Sequence, residues 1–189
     1  LRQKVLGPDH PDTLKSLMCL GTAYLASGIP VKAVPLLEES LHLMRTKLGP
    51  EHPDTIVSMN NLAEVYRDQG RYTAAERLNT QVFEIWRRVL GPEHPSTLAS
   101  MHNLASLYQN QGRYAEAGPL YNQTLEARRR VLGPEHPDTL DSMNNLALAY
   151  GDVGQYDKAL PLHKQTLELR RKVLGPEHLD TLASMNNLA

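Results

Sequence analysis

A nine-residue segment recurs five times in this chain of 189 residues, each copy beginning 42 residues after the previous one. The copies begin at Leu6, Leu48, Leu90, Leu132 and Leu174, and their sequences are LGPDHPDTL, LGPEHPDTI, LGPEHPSTL, LGPEHPDTL and LGPEHLDTL. A fixed period of this length is typical of stacked structural repeats, in which each repeat buries its apolar surface against its neighbours. The period therefore replaces the one or two globular domains that the length alone would suggest.

The segment itself predicts that one helix ends and another begins. In the first copy, Gly7 suits the left-handed conformation that ends a helix, and Pro8 prevents the helix from continuing. Pro11 suits the first turn of the next helix, and Asp12 places negative charge near the positive end of that helix. Residues 1–5 match the residues that precede the later copies, so we expect them to be the last turn of a helix.

Two apolar helical patterns lie between successive copies, and we name them helix A and helix B. In the second repeat, helix A carries apolar residues at helical spacing on one face: Ile56, Met59, Leu62, Ala63 and Tyr66. Helix B follows Gly70 and carries a similar stripe: Ala75, Leu78, Val82, Phe83 and Trp86. Each repeat is therefore predicted to be a pair of helices joined by a short turn.

Helix A and the start of helix B also carry a recognisable residue pattern. It is Asn-Leu-Ala-x-x-Tyr with a later glycine, tyrosine and alanine, at Asn61, Leu62, Ala63, Tyr66, Gly70, Tyr72 and Ala75. This pattern resembles the tetratricopeptide repeat. The 42-residue length, the NNLA core and the LGPEHP loop are similar to the variant of kinesin light chains and of the sensor arrays of some NLR-like signalling ATPases. The resemblance implies an all-α fold, an α-solenoid (right-handed superhelix) of antiparallel helix pairs.

The period predicts one array over residues 1–189. Residues 1–10 end a preceding repeat, the four full repeats are 11–52, 53–94, 95–136 and 137–178, and residues 179–189 are the first helix of a fifth. Because both ends interrupt a repeat, we expect apolar interfaces to be exposed there and molecules to associate head to tail. We also expect the chain to be a fragment of a larger adaptor or sensor protein.

Composition argues against several classes of partner. The net charge of −1 argues against a protein that binds nucleic acid or a membrane surface. No apolar run approaches the length of about 18 residues that a membrane span requires. The single cysteine, Cys19, fits a reducing compartment, so we expect a cytoplasmic protein.

No residue pattern indicates an enzyme, a cofactor or a metal site. The recurring loop histidines lie two helices apart, roughly 16–20 Å at the usual spacing of packed helices. They cannot share a zinc ion, whose ligands lie about 2 Å from it, so capping or packing of the loop is predicted instead. Arginines cluster at the ends of the B helices, as in Arg128–Arg130. A nucleic-acid-binding ridge is one interpretation, and compensation of the helix dipole with ion pairs to the loop glutamates is the favoured one.

The resemblance further implies that the A helices line a concave groove. The candidate groove residues are Asn60, Asn61, Glu64, Arg67, His102, Asn103, Ser106, Gln109, Asn144, Asn145, Leu148 and Asn187. An asparagine amide both donates and accepts, so a ladder of amides can hold an extended peptide backbone. A second interpretation is that one asparagine of each pair bridges to a neighbouring helix or a turn. The two uses are compatible.

Two function classes remain open from the sequence. The favoured hypothesis is a protein–protein interaction scaffold whose groove binds a peptide or a partner helix. The alternative is a structural spacer or oligomerisation array of a signalling ATPase or motor adaptor, with no peptide ligand of its own.

Overall fold

The structure, a computed structural model, describes residue 7 and residues 10–188, so the helix end expected at residues 1–5 lies outside the described residues. Within this part the chain forms nine α-helices and no strand. They are α1 (Pro11–Ala26), α2 (Pro30–Lys47), α3 (Pro53–Asp68), α4 (Tyr72–Leu90), α5 (Pro95–Asn110), α6 (Tyr114–Val131), α7 (Pro137–Asp152), α8 (Tyr156–Leu174) and α9 (Leu179–Asn186). The odd-numbered helices are the predicted A helices and the even-numbered ones the B helices. The predicted all-α class is confirmed.

The helices group into two compact regions, Leu1–Ile85 and Trp86–Ala189. We refer to them as the first and second regions. Within the first, α1 packs on α2 and α2 on α3. Within the second, α5 packs on α6, and α6, α7, α8 and α9 pack in chain order. The division into 42-residue repeats stays a prediction from the sequence.

Four residues of the recurring loop have a defined structural role, as the copy before α7 illustrates. Gly133 has a φ of 91°. His136 caps α7, because its Nδ1 atom accepts a hydrogen bond from the backbone N–H of Asp138 at 3.2 Å. Pro137 is the first helical residue, where its missing N–H costs nothing. The Thr139 hydroxyl donates to the Gly133 carbonyl at 2.8 Å and thereby closes the loop.

The same histidine cap begins every A helix in the described residues. The other capping residues are His10, His52, His94 and His178, each with an N–H···Nδ1 distance of 3.1–3.2 Å. Asparagine, aspartate, serine and threonine are the usual caps, so an imidazole is an uncommon way to satisfy the first N–H groups of a helix. Of the two predicted roles, capping is therefore confirmed.

The loop glycine departs from the predicted conformation. We expected the left-handed helical region, but Gly175 has a φ of 92° and a ψ of 163°. That combination is extended as well as positive in φ, and essentially only glycine adopts it. The chain therefore leaves α8 in an extended direction, and the histidine three residues later begins the next helix.

The apolar stripe predicted for α3 is correct, since Ile56, Met59, Leu62, Ala63 and Tyr66 are all buried. The stripe predicted for α4 is correct in its first half only. Ala75, Leu78 and Val82 are buried, whereas Phe83 and Trp86 are half-buried. Helix α4 has 19 residues and α3 has 16, and the two aromatic residues lie in the C-terminal half of the longer helix.

A buried arginine joins each B helix of the second region to the A helix that follows. Arg128 on α6 donates to the Asp138 carbonyl and the Ser142 hydroxyl, both at 2.8 Å. Arg170 on α8 makes the equivalent bonds to Asp180 and Ser184, at 3.0 and 2.9 Å. It also pairs with the Asp141 carboxylate at 2.6 Å. Burial lowers the pKa of Arg128, and these oxygen acceptors compensate for the loss of water.

The surface cations of the same clusters form ion pairs, as the favoured interpretation predicted, but their partners lie elsewhere. Arg130 pairs with Glu93 at 2.7 Å, and Lys172 pairs with Glu135. These glutamates belong to the loop before the helix pair, not to the loop that follows the cluster. Each of these two ion pairs joins residues that are 37 positions apart in the sequence. They can meet because the end of helix B lies beside the loop that precedes helix A of the same repeat.

Candidate functional site

The candidate groove residues all lie on A helices or, for Asn187, at the end of one. In the first region, Asn60, Asn61, Glu64 and Arg67 lie on α3. In the second region, α5 carries His102, Asn103, Ser106 and Gln109; α7 carries Asn144, Asn145 and Leu148; and Asn187 is the C-cap of α9.

Four of these side chains form a hydrogen-bonded line across α5, α7 and α9, and we name this line the amide ladder. The Asn145 Nδ2 atom lies 2.9 Å from the Nε2 atom of His102. The Asn187 Nδ2 group donates to the Asn144 Oδ1 atom at 2.9 Å. Both bonds join residues that are 43 positions apart, so the same contact between successive A helices occurs twice, from α5 to α7 and from α7 to α9. A longer bond of 3.4 Å, from the Asn144 Nδ2 group to the Asn145 Oδ1 atom, connects the two contacts.

The hydrogen bonds of the ladder define the protonation of His102. Because the Asn145 amide donates to Nε2, the imidazole carries its proton on Nδ1. That nitrogen is buried and has no partner among the described residues. Burial lowers the pKa of His102 to about 4; the charge of Arg128 acts in the same direction and that of Asp138 opposes it. The ring is therefore neutral at physiological pH.

A second polar chain begins at the residue that supports His102. The Tyr121 ring on α6 meets the imidazole edge to face, with a centroid distance of 5.3 Å. Its hydroxyl donates to the Gln109 Oε1 atom at 2.9 Å, and the Gln109 Nε2 group donates to the Asp152 carboxylate at 2.5 Å. Burial raises the pKa of Tyr121 to about 12, so the hydroxyl keeps its proton and remains a donor.

Sequence reasoning missed Tyr121, which lies on a B helix, because candidate groove residues were expected on the A helices. Asp152, at the end of α7, has the register of a groove residue, but the sequence did not predict its bond to Gln109. Only the position of α7 beside α5 brings its carboxylate to Gln109. No local pattern in the sequence indicates either contact.

The bridging interpretation of the asparagines is therefore confirmed in the second region, for Asn144, Asn145 and Asn187. Bridging does not exhaust their capacity. Asn145 uses one N–H and one lone pair, while an amide offers two of each. The binding of a peptide stays a prediction.

In the first region, a cleft between α1 and α3 includes Asn61. Its walls are Thr22, Leu25, Pro30, Asn61, Glu64, Val65, Asp68 and Gln69. Asn61 has the register of Asn145 and Asn187, but the position 43 residues before it is Met18, which offers only a thioether. Accordingly, Asn61 makes no hydrogen bond to any described residue. Arg67, another candidate, is engaged by the neighbouring Asp68 carboxylate at 2.9 Å.

Among the described residues, no group of three or more His, Cys, Asp or Glu side chains is placed to hold a metal ion. No described helix is long and apolar enough to cross a membrane.

The recurring pattern matches a known family. A model of the tetratricopeptide repeat matches residues 18–85, 58–110, 97–172 and 144–189. Comparison with curated proteins found no match.

Solved structures with the same fold include that of the nearly identical TPR-like repeats of a Podosopora anserina protein described as a kinesin light chain. Its structure is 37% identical, covers 95% of this chain and 85% of its own, and has a TM-score of 0.79. A one-residue variant of it is 36% identical, covers 92% and 82%, and has a TM-score of 0.82. BtubC from P. vanneervenii is 22% identical, covers 94% and 70%, and has a TM-score of 0.78; it shares the fold.

Proposed function

The chain belongs to the tetratricopeptide repeat family, in the form seen in kinesin-light-chain-like proteins, and we propose that its A helices bind an extended peptide or a partner helix. Repeats of this family indicate a protein–protein interaction scaffold with protein partners. The groove, its ligand and the residues that hold the ligand are the parts that we propose.

The amide ladder is the observation that supports the groove. Its internal bonds fix the orientation of Asn144 and Asn145, so fewer side-chain rotations are lost when a peptide binds. The spare N–H and carbonyl positions of the amides match the alternating donors and acceptors of a peptide backbone. Each such bond contributes only about 0.5–1.5 kcal/mol net, so the ladder sets the orientation of the peptide more than its affinity.

Specificity must then come from the exposed residues beside the ladder. In the second region these include Asn103 and the apolar side chain of Leu148. In the first region, the exposed Glu64 lies in the same cleft as Asn61. The mixed lining favours a peptide that combines apolar and polar side chains over a strongly charged one.

Site-specific photocrosslinking tests this proposal. A photoreactive amino acid is placed at Leu148, beside the ladder, and in a separate protein at Leu160, an exposed position on α8. We expect Leu148 to crosslink a partner segment in cell extract and Leu160 not to do so. The crosslinked segment is then identified, synthesised and titrated against the purified protein.

The matched variant is Asn103→Ala combined with Asn145→Ala, both in the second region. We expect this variant to bind the synthesised peptide about tenfold more weakly, because one to two hydrogen bonds are lost. Arg129→Gln on α6 is the control and should bind normally. Unchanged affinity in the folded double variant would show that the peptide binds elsewhere.

A second candidate function, self-association, is favoured by the surface of α9. Leu182 is 43% exposed, whereas Leu140, at the same register, is 1% exposed, and Leu179 is 80% exposed. We propose that a second molecule covers this surface. Light scattering at increasing concentration should show association that Leu182→Glu abolishes, and a monomer at millimolar concentration would exclude it.

A further inference from the structure

A cleft in the first region, away from the ladder, carries positive charge that no carboxylate compensates. It lies between α2, α3 and α4, and we name it the α2–α4 cleft. Its charged lining consists of Glu38, Arg45, Arg71 and Arg77, with His42 at its edge, and its apolar walls include Leu41, Leu62 and Leu78.

Glu38 and Arg71 neutralise each other. The Glu38 carboxylate accepts a hydrogen bond from the Tyr66 hydroxyl at 2.5 Å and lies 3.6 Å from the Arg71 guanidinium. Arg71 in turn lies over the Tyr66 ring, 4.0 Å from its centroid. These contacts hold the only carboxylate of the cleft lining, so it is not available to Arg45 or Arg77.

Arg45 is half-buried without an anionic partner. Its Nη2 group donates to the Gln81 Oε1 atom at 2.6 Å and approaches the Met59 sulfur at 3.1 Å, and both acceptors are uncharged. Its Nε–H is buried and has no partner among the described residues. Burial, and after it the charge of Arg77, lowers the pKa of Arg45. Arg77 makes no hydrogen bond or ion pair with the described residues, so two guanidinium charges repel each other in one cleft.

The second region contains the register-equivalent cleft, between α6, α7 and α8, without a pair of uncompensated arginines. There Glu126 occupies the position of His42, and it pairs with Arg129, the equivalent of Arg45, at 3.3 Å. Pro161 occupies the position of Arg77. The two linings also differ at Glu38 and Ala74, where the counterpart has Asn122 and Lys158. The differences at His42 and Arg77 are the ones that leave two arginines without a carboxylate partner.

We propose that the α2–α4 cleft binds the phosphate of a phosphorylated serine or threonine in a partner peptide. A phosphate monoester carries a charge close to −2, which matches the two guanidinium groups that lack an anionic partner, whereas a single carboxylate would neutralise only one of them. Guanidinium groups bind phosphate oxygens in bidentate geometry, and the unsatisfied Nε–H of Arg45 supplies a donor.

The surroundings of the two arginines favour a peptide over a nucleic acid. The apolar walls at Leu41, Leu62 and Leu78 suit an apolar side chain next to the phosphorylated residue. A nucleic acid needs a stripe of cations that follows many phosphates. Here the uncompensated charge is confined to one cleft of a chain with a net charge of −1.

Fluorescence anisotropy with three matched peptide libraries tests the proposal on the full chain. The libraries share apolar flanking residues and differ in one fixed central residue: phosphoserine, serine or glutamate. We expect the wild-type protein to bind the phosphoserine library at least about tenfold more tightly than either other library. Inorganic phosphate should compete with it.

Two variants and one control locate the site. His42→Glu restores the residue found at the equivalent position and gives Arg45 a partner, and Arg77→Gln removes the second charge. We expect each to weaken binding of the phosphoserine library about tenfold. Arg129→Gln in the counterpart cleft should leave binding unchanged, and thermal unfolding checks that all three variants fold.

Several results would overturn the proposal. They are equal binding of the phosphoserine and glutamate libraries, normal binding by both His42→Glu and Arg77→Gln, and an equal loss on Arg129→Gln, which would indicate unspecific attraction. The groove proposal is tested separately: Asn103→Ala with Asn145→Ala should still bind the phosphoserine library, since those residues lie on other helices.

Discussion

At the scale of single residues, one methyl group decides how closely two helices approach. Gly21 on α1 faces α2 so closely that a Cβ atom would lie 2.7 Å from the Leu37 Cγ atom. The equivalent residues of the later repeats are alanines: Ala63, Ala105 and Ala147. The first helix pair is therefore closer than an alanine at this position would allow.

Gly21→Ala should destabilise the protein in spite of the better helix propensity of alanine. Overpacking costs roughly 1–3 kcal/mol, and the gain in propensity is about 1 kcal/mol, so we expect a net loss of about 1 kcal/mol. Gly118→Ala on α6 is the control, because a Cβ atom there meets no other atom within 4 Å. Thermal unfolding should show a lower midpoint for Gly21→Ala and a higher one for Gly118→Ala. A raised midpoint in both would contradict the close approach.

The imidazole caps give a second prediction at this scale. His94→Ala removes the acceptor for the Ser96 N–H and should cost about 1 kcal/mol, as the loss of other helix caps does. His94→Asn supplies another acceptor and should retain most of the stability. Urea unfolding of the two variants would measure the difference. Equal stability would mean that water replaces the imidazole at no cost.

His102 makes stability depend on pH. An unfolded histidine titrates near pH 6.5, about the reference value, and the pKa of folded His102 is about 4. Between these values the unfolded chain takes up a proton that the folded chain does not, so lowering the pH through this window destabilises the fold. The shift corresponds to at most roughly 3 kcal/mol. Burial also lowers the pKa of His163, which adds in the same direction.

His102→Asn isolates this contribution, because Asn144 shows that an asparagine fits the equivalent position. Unfolding free energies at pH 7 and pH 5 should differ less for the variant than for the wild type. Above pH 6.5 the two proteins should show parallel pH dependence. If the variant and the wild type show the same difference between pH 7 and pH 5, His102 takes up its proton equally in the folded and the unfolded state.

At the scale of elements, a helix end is held by one buried cation among several exposed ones. Arg170 is 4% exposed and joins α8 to α9, whereas its neighbours Arg171 and Lys172 are exposed. A salt bridge at the surface contributes about 0–1 kcal/mol, but removing one partner of a buried network costs more. The basic cluster at the end of helix B therefore has two roles. Arg170 connects two helices through buried hydrogen bonds, and Lys172 forms an ion pair at the surface.

Arg170→Met should loosen α9 without unfolding the rest of the second region. Methionine fills space in the first repeat at this register, where Met44 is buried, but it cannot bond to Asp180 or Ser184. We expect faster hydrogen–deuterium exchange in residues 179–186 and unchanged exchange in α5. Lys172→Gln, which removes only the pair with Glu135, should leave the exchange of α9 unchanged. If α9 exchanges at the same rate in both variants, the hydrogen bonds of Arg170 do not hold α9 in place.

At the scale of the whole molecule, the period of 42 residues defines what can be removed. Deleting residues 137–178 joins His136 to Leu179 and places Ser184 at the position of Ser142, within the pattern that Arg128 binds. We expect this shorter protein to stay helical, with a lower unfolding midpoint, because stability sums over repeats and their interfaces. Circular dichroism would show this result. Deleting residues 137–155 leaves α8 without its partner helix and should cause aggregation.

The sequence predicted the fold well because helix limits are encoded locally. Gly133, His136 and Pro137 act within one loop, so their roles can be inferred without knowing what lies across the interface. The amide ladder was only partly predictable. The bond from Asn145 to His102 depends on how far α7 is shifted along α5, which the period of a single helix does not specify.

The sequence also could not predict which residue is buried within a run of similar residues. Arg128, Arg129 and Arg130 are adjacent, and only the rotation of α6 about its axis decides that Arg128 is the buried one. The charge of the α2–α4 cleft, in contrast, could be predicted in part from the sequence. His42 and Arg77 depart from the repeat at positions that an alignment of the repeats exposes, and the structure adds that both departures meet in one cleft.

The two equal contacts of the ladder have a consequence for how such a chain grows. Asn187 meets Asn144 as Asn145 meets His102, so the contact surface before one repeat fits the surface after another. An in-frame duplication of the DNA for one repeat would produce a copy that already fits both neighbours. Selection can then alter residues in the clefts of the new copy while its joints stay intact. Length and specificity can evolve separately in such a protein.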